Sequence, residues 1–195
     1  LMTALIVAET YDLEGEVRIT QERYVTTLVP RLVGTNQTTV YELLQLLLLE
    51  SSNEAAEVLA SQIGRAQFVS MMNERAQTLG LSATQFTDPS GLDAGNQSTA
   101  ADIVRLVTYL HEQYSFLLHV SARPNAVAAA RTSDFTNLEN FNPIDGLDTF
   151  TGGKIGETAA ALQTSATVHD LTFGSSTRPV AIVVLGSTAR TADVT

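Results

Sequence analysis

The chain has 195 residues, enough for one domain, and 44% of them are apolar, ample for a core. A formal net charge of −10 argues against nucleic-acid binding, because little basic surface remains to offset phosphate repulsion. Without cysteine there are no disulfides and no thiolate chemistry, and no apolar stretch reaches the length of a membrane span.

In chain order, Leu1-Met2-Thr3-Ala4-Leu5-Ile6-Val7-Ala8 is apolar at once, with no capping residue ahead of it. It has neither the basic region nor the small-residue cleavage site of a secretory signal. The segment predicts a buried helix already under way where the sequence opens, as in a fragment of a longer protein. Residues 11–15 turn the chain, and Val17-Arg18-Ile19-Thr20 alternates like a short strand. Residues 21–37 show no clear period and end in a turn-like Gly34-Thr35-Asn36-Gln37. Thr39-Val40-Tyr41-Glu42 then has the spacing of a capping box. The helix it opens carries Leu43, Leu44, Leu46, Leu47, Leu48 and Leu49, which predicts burial on all sides.

That helix runs into Glu50-Ser51-Ser52-Asn53, an abrupt polar patch. Ser51 to Glu54 has the spacing of a second capping box, with Asn53 satisfying a turn. The other reading is that polar groups at the end of a buried helix serve a site. Phe68, Met71, Met72, Arg75, Ala76 and Leu79 form a helical stripe that stops at Gly80. Asp88-Pro89-Ser90-Gly91 is a turn. Ser98 or Thr99 caps the next helix, with Asp102 in the first turn and Ile103, Leu106, Val107 and Leu110 facing inward. The pattern weakens from Ser121 to Asp148, punctuated by Pro124, Pro143 and Gly146. Leu162-Gln163-Thr164-Ser165-Ala166-Thr167-Val168 and the run from Pro179 to Gly186 read as strands. Helices in the middle and strands at the end predict an α+β fold. It forms one domain over 1–195, mainly helical over 39–120, with its closing strands within 150–187.

Lys154 is the only lysine among eleven basic residues, set in Thr151-Gly152-Gly153-Lys154-Ile155-Gly156-Glu157-Thr158. A compact ammonium beside bare backbone suits a role toward a ligand; the alternative is a solvated lysine guarding a sheet edge. A phosphate-binding P-loop is ruled out, since Asp148 and Ile155 stand where glycine and a hydroxyl residue are needed. His111, His119 and His169 lack the spacing of a zinc site. His169-Asp170 near Ser165 does not read as a triad, because strand neighbours point to opposite faces.

Three features taken together resemble a known family. Ser51-Ser52-Asn53 matches S-x-N, and Lys154-Ile155-Gly156 stands in place of K-[TS]-G. Between them lies Leu79-Gly80-Leu81 with Thr84-Gln85-Phe86-Thr87-Asp88-Pro89-Ser90-Gly91-Leu92-Asp93 and Ser98-Thr99-Ala100-Ala101-Asp102. The chain resembles the serine-type D-alanyl-D-alanine carboxypeptidases, the low-molecular-mass penicillin-binding proteins of the serine β-lactamase-like superfamily. The resemblance extends from Leu1 to about Arg190. It implies a helical lobe packed on an antiparallel sheet, truncated at the N-terminus and at the C-terminus, without the helix that closes the sheet after Leu185. The family's Ser-x-x-Lys is commonly followed by Leu-Met-Thr-Ala-Leu, so nucleophile and base lysine are expected just ahead of Leu1. No Ser-x-x-Lys exists within the sequence itself.

The implied chemistry is acyl transfer through a serine acyl-enzyme, trimming the terminal D-alanine of peptidoglycan stem peptides. By resemblance, Ser51 joins the proton relay toward the leaving amine, and Asn53 holds the substrate amide and the base lysine. Lys154 supplies positive charge for the relay and for the substrate carboxylate. Gly156, Glu157 and Thr158 line the substrate strand, the Glu157 N–H serving as an oxyanion donor. The implied partners are stem peptides ending in D-Ala-D-Ala, with β-lactams as inhibitors of the complete protein, and no nucleic acid, metal or cofactor. The implied location is extracytoplasmic, in the periplasm or cell envelope. Ile155 removes the hydroxyl of the family motif, Glu157 brings a negative charge where an aromatic residue or histidine is common, and Ala161-Leu162 replaces Ala-Gly. These departures keep open a non-catalytic scaffold that retains the fold. A β-lactamase is the third reading.

Overall fold

A computed structural model describes residues 1–19, 25–122, 135–142 and 147–194. Thr20 and the punctuating Pro124, Pro143 and Gly146 lie outside these residues, as does most of the weakly patterned segment between Ser121 and Asp148.

The first helix, α1 (Met2–Thr10), begins at Leu1 without a side-chain cap and buries Met2 to Val7, as its uniform apolarity requires. Two short antiparallel strands follow, β1 (Glu16–Arg18) and β2 (Gln37–Thr39); the second had no clear sequence signal. The Thr39–Glu42 capping box forms with both hydrogen bonds in place and opens α2 (Val40–Leu49). Every residue from 43 to 49 is buried, Gln45 included. Burying that leucine run removes several hundred Å² of apolar surface from water, worth about 25 cal/mol per Å² before entropy is counted.

The second capping box does not form as the spacing suggests. Ser52 is the N-cap of α3 (Asn53–Ser61), accepting from the Ala55 N–H at 3.2 Å. Ser51 stands outside the helix with φ +55. Glu54 turns inward rather than back to the cap. Burial raises its carboxyl above the usual range, opposed by a hydrogen bond from the Leu32 backbone.

Helix α4 (Arg65–Thr78) carries the expected stripe, with Phe68, Met72 and Ala76 buried. It stops where Gly80 (φ +70) donates to Gln77 and the Leu81 N–H donates to Ala76. Glycine suits that left-handed position because it has no Cβ to clash. Of the two candidate caps for α5 (Ala100–Gln113), Thr99 is the one used. Asp102 is spent on the preceding loop, accepting from Ala83 N–H at 2.8 Å and Thr84 Oγ1 at 2.9 Å. Asp88 gathers Ser90 Oγ and the Gly91 and Leu92 N–H groups, and Thr3 Oγ1 donates to Pro89 O at 2.5 Å. The middle block is therefore a brace between α1, α4 and α5. A further short helix, α6 (Ser115–Ser121), had no separate sequence signal.

The sheet is antiparallel in the order β3 (Phe150–Thr158), β4 (Leu162–Phe173), β5 (Ser176–Ser187). The strands run longer than the apolar cores that betrayed them. The middle strand is buried on both sides over residues 165–169. Ala166 and Val168 join the helical core, and by strand alternation Ser165, Thr167 and His169 face the other way. His169 is buried and Asp170 exposed, so the pair points apart and forms no triad. A five-residue helix, α7 (Arg190–Val194), follows β5 and buries none of its described residues. Helices gathered against an antiparallel sheet give the expected α+β architecture.

Candidate active site

The site is where α2, α3 and β3 meet. At the end of α2, Ser51 takes a left-handed conformation (φ +55) that most L residues avoid. Glycine is the usual choice there, and a serine costs about 1–2 kcal/mol in backbone strain. The hydroxyl thereby gained is used. Lys154 Nζ on β3 donates to Ser51 Oγ at 2.7 Å, across 103 residues of chain, and also to Ile155 O at 2.7 Å. The lysine sits on an edge strand and is half-buried, but its ammonium is turned onto the helix junction rather than left to solvent.

Its position follows from the glycines before it. Gly152 (φ +148) lies so close to α6 that an added Cβ would fall 2.3 Å from Leu118 O. The Gly153 N–H donates to the buried Ser121 Oγ at 2.8 Å. These contacts draw β3 onto the helical lobe and aim Lys154 into it. Burial pushes the Lys154 ammonium down to about 8, with the nearby Arg190 guanidinium adding to the effect.

A pH prediction follows. A folded chain gives up the Lys154 proton near 8, while an unfolded one holds it to about 10.5. The unfolded state therefore binds more protons in that window, and stability rises with pH there. Denaturant titrations should show the wild type gaining stability from pH 8 toward 10, and Lys154→Met losing that gain. Equal slopes in the two proteins would mean that Lys154 is not held in a low-dielectric setting.

Asn53 opens α3 two residues after Ser51. Its Nδ2 donates to Thr26 O at 2.8 Å and its backbone N–H to Thr27 Oγ1 at 3.3 Å. The segment from residue 25 to 35 is thus hung on the S-x-N turn. Gly156 O accepts from Arg190 Nη1 at 2.8 Å and from Thr164 Oγ1 at 3.2 Å. Glu157 is 60% exposed, its carboxylate 3.7 Å from Arg190. Thr158 Oγ1 accepts from Ala161 N–H, closing the β3–β4 turn.

Two residues near the site escaped sequence reading. Arg190 had no local signal; only the sheet register brings it to β3, where it faces Glu157 and Gly156. Glu50, 1% exposed, pairs with Arg31, and a charged residue ending an otherwise apolar helix was a signal that could have been taken.

A serine and a lysine meeting between a helical lobe and an antiparallel sheet define a penicillin-binding-protein-like domain. Solved structures agree. The D-alanyl-D-alanine carboxypeptidase of Mycobacterium tuberculosis superposes with a TM-score of 0.75 at 27% identity, covering 94% of this chain and 70% of that one. Penicillin-binding protein D2 of Listeria monocytogenes, solved in an ampicillin-bound form, gives 0.82 at 25% identity, covering 97% and 78%. The chain belongs to the D-alanyl-D-alanine carboxypeptidase family, whose profile matches residues 1–189. Among sequence relatives, a D-alanyl-D-alanine endopeptidase of Pseudomonas aeruginosa is 32% identical over 141 residues, 70% of this chain and 45% of that protein. A D-alanyl-D-alanine carboxypeptidase of M. tuberculosis is 34% identical over 130 residues, 65% of this chain and 44% of that one. The chain thus spans about half the length of the relatives it matches.

Proposed function

We propose that this chain carries most of the catalytic cleft of a serine hydrolase acting on D-Ala-D-Ala-terminated peptidoglycan stem peptides, outside the cytoplasm. The observation that carries this reading is the 2.7 Å contact between Lys154 Nζ and Ser51 Oγ, the meeting of the two motifs. In this reading the nucleophile and base lysine come from a Ser-x-x-Lys segment joined to Leu1, as the resemblance of Leu1-Met2-Thr3-Ala4-Leu5 to the family's usual continuation implies.

In the reaction, the serine Oγ attacks the carbonyl carbon between the two terminal D-alanines, and its proton passes to the neighbouring lysine. The tetrahedral oxyanion takes hydrogen bonds from backbone donors, that of Glu157 among them. As the C–N bond breaks, the leaving D-alanine amine collects a proton through Ser51, which Lys154 keeps oriented as a donor. Water then hydrolyses the acyl-serine by the reverse proton path. Lys154 also offers charge to the substrate's terminal carboxylate, a duty unshared by Ile155, which has no hydroxyl to give. The same cleft binds β-lactams as mimics of the D-Ala-D-Ala amide.

Labelled penicillin tests the reading. The 195-residue chain should form no covalent adduct, and the chain joined at Leu1 to a Ser-x-x-Lys segment should label stoichiometrically and release D-alanine from a model stem peptide. Labelling of the 195-residue chain alone would put the nucleophile elsewhere. A joined chain that folds but neither labels nor cleaves would favour the scaffold reading, for which Ile155 and Glu157 are the supporting features.

A further inference from the structure

We propose that Glu50, gripped by Arg31, is a positioning residue that holds Ser51 in its left-handed conformation and so sets its hydroxyl against Lys154. The proposal rests on the reading of Ser51 as part of the proton relay.

A strained residue persists only where its neighbours over-determine it. On the C-terminal side of Ser51, Ser52 does this: its hydroxyl caps α3 and its N–H donates to Leu46 O at 3.1 Å. On the N-terminal side the constraint is Glu50. Its N–H also donates to Leu46 O, at 3.2 Å. Its carboxylate, 1% exposed, is then fixed by a two-pronged guanidinium, Arg31 Nε to Oε2 at 2.9 Å and Nη2 to Oε1 at 2.5 Å. A third bond comes from the Glu139 N–H to Oε1 at 3.0 Å. Arg31 is itself fixed by Asn137 O at 3.0 Å and Thr136 O at 3.3 Å, and the Phe141 N–H donates to Leu49 O at 3.0 Å.

This amount of fixation exceeds what an ordinary helix end needs. A buried carboxylate is costly unless paired and fully hydrogen-bonded, and an apolar residue would finish the leucine-lined helix more cheaply. What the charge adds is direction. A planar fork allows Glu50 one orientation, and two strands of irregular chain, around residues 31 and 136–139, converge on it. With Glu50 and Ser52 both immobile, the single residue between them has one backbone conformation left to it. The φ of +55 is the result, and the 2.7 Å contact with Lys154 depends on it.

Lys154, as the sole lysine, gives a direct readout. In protein labelled with 15N-lysine, its Nζ is the only side-chain signal, and it reports the Ser51 contact whether or not the chain is active. Glu50→Gln keeps the shape and removes the charge, and Arg31→Lys keeps the charge and removes the fork. Each should shift the Lys154 signal, speed exchange of its ammonium protons by roughly tenfold through loss of one charged hydrogen bond, and move its titration upward toward the ordinary lysine value. Arg65→Gln, which breaks the exposed pair with Glu57, is the control and should leave the signal in place. A folded Glu50→Gln with unchanged Lys154 signal, exchange and titration overturns the proposal. If Glu50→Gln does not fold, Arg31→Lys decides by the same three readouts. Failure of both to fold would make the pair a prop of the core rather than a device for placing Ser51, and would equally overturn it. A joined chain that fails to take penicillin, while Lys154 in the 195-residue chain still responds to Glu50→Gln, would overturn the catalytic reading and leave the positioning one standing.

Discussion

Lys154→Ala, in the chain joined to a Ser-x-x-Lys segment, should lower D-alanine release and the penicillin acylation rate by roughly a hundredfold or more, the loss typical of one enclosed charge contact at a reacting centre. The side chain orients the Ser51 proton from 2.7 Å and brings the positive charge of β3 nearest that serine. Alanine removes both and leaves Ser51 Oγ with no described donor. Lys154→Arg should rescue little. The guanidinium is planar and larger, and the space between Ser51 Oγ and Ile155 O is matched to an ammonium that donates to both. The loss should fall on kcat and kcat/KM together for the relay, with an added rise in KM if Lys154 also holds the carboxylate. An acylation rate within about threefold of wild type, outside the range expected for such a contact, would remove Lys154 from the mechanism.

The elements that could be read in the sequence are those whose causes are local. The Thr39–Glu42 box and the leucine run dictate α2 through contacts within a few residues, and Gly80 ends α4 for a steric reason visible in one letter. Ser51 was misplaced because a serine followed three residues later by glutamate looks the same whether it caps a helix or precedes the cap. Only the backbone separates Ser51, at φ +55, from Ser52, which makes the capping bond. The meeting of Ser51 with Lys154 could not be derived from spacing at all. It was expected because the motifs resemble a family, and its physical cause lies in packing between α6 and β3. Arg190 and the arginine that partners Glu50 were hidden for the same reason, since these pairings are set by register and by loops that carry no periodicity.

The departures from the family motif look less severe in three dimensions. Under the proposed function Glu157 would set a carboxylate beside an anionic substrate, yet it is well exposed and Arg190, only 13% exposed, lies 3.7 Å away. Screening by water and the neighbouring guanidinium both weaken its field at the substrate. Arg190 also lies close enough to lower the Lys154 ammonium, a like-charge repulsion. The missing hydroxyl at Ile155 has no such offset.

Gly152→Ala should cost the fold about 3 kcal/mol, combining a steric overlap with an unfavourable backbone angle. The added Cβ would sit 2.3 Å from Leu118 O and 2.6 Å from Leu118 C, both main-chain atoms of α6 that cannot rotate away. The backbone at φ +148 adds strain for any residue with a side chain. At roughly 2–4 °C per kcal/mol for a domain of this size, the melting temperature should fall by about 6–12 °C. The change should also reach the site, because relief of the overlap means moving β3 away from α6. That motion lengthens the Gly153–Ser121 bond and carries Lys154 back from Ser51. Gly174→Ala makes a matched comparison: its φ is +64 but nothing lies within 4 Å of the added Cβ. It should lose only the smaller strain penalty, about 1 kcal/mol, and leave Lys154 in place. Thermal melts of the two variants, with the Lys154 Nζ signal recorded below each transition, separate the terms. Equal melting temperatures would mean that contact with α6 does not set the position of β3, and with it the placing of Lys154 would need another cause.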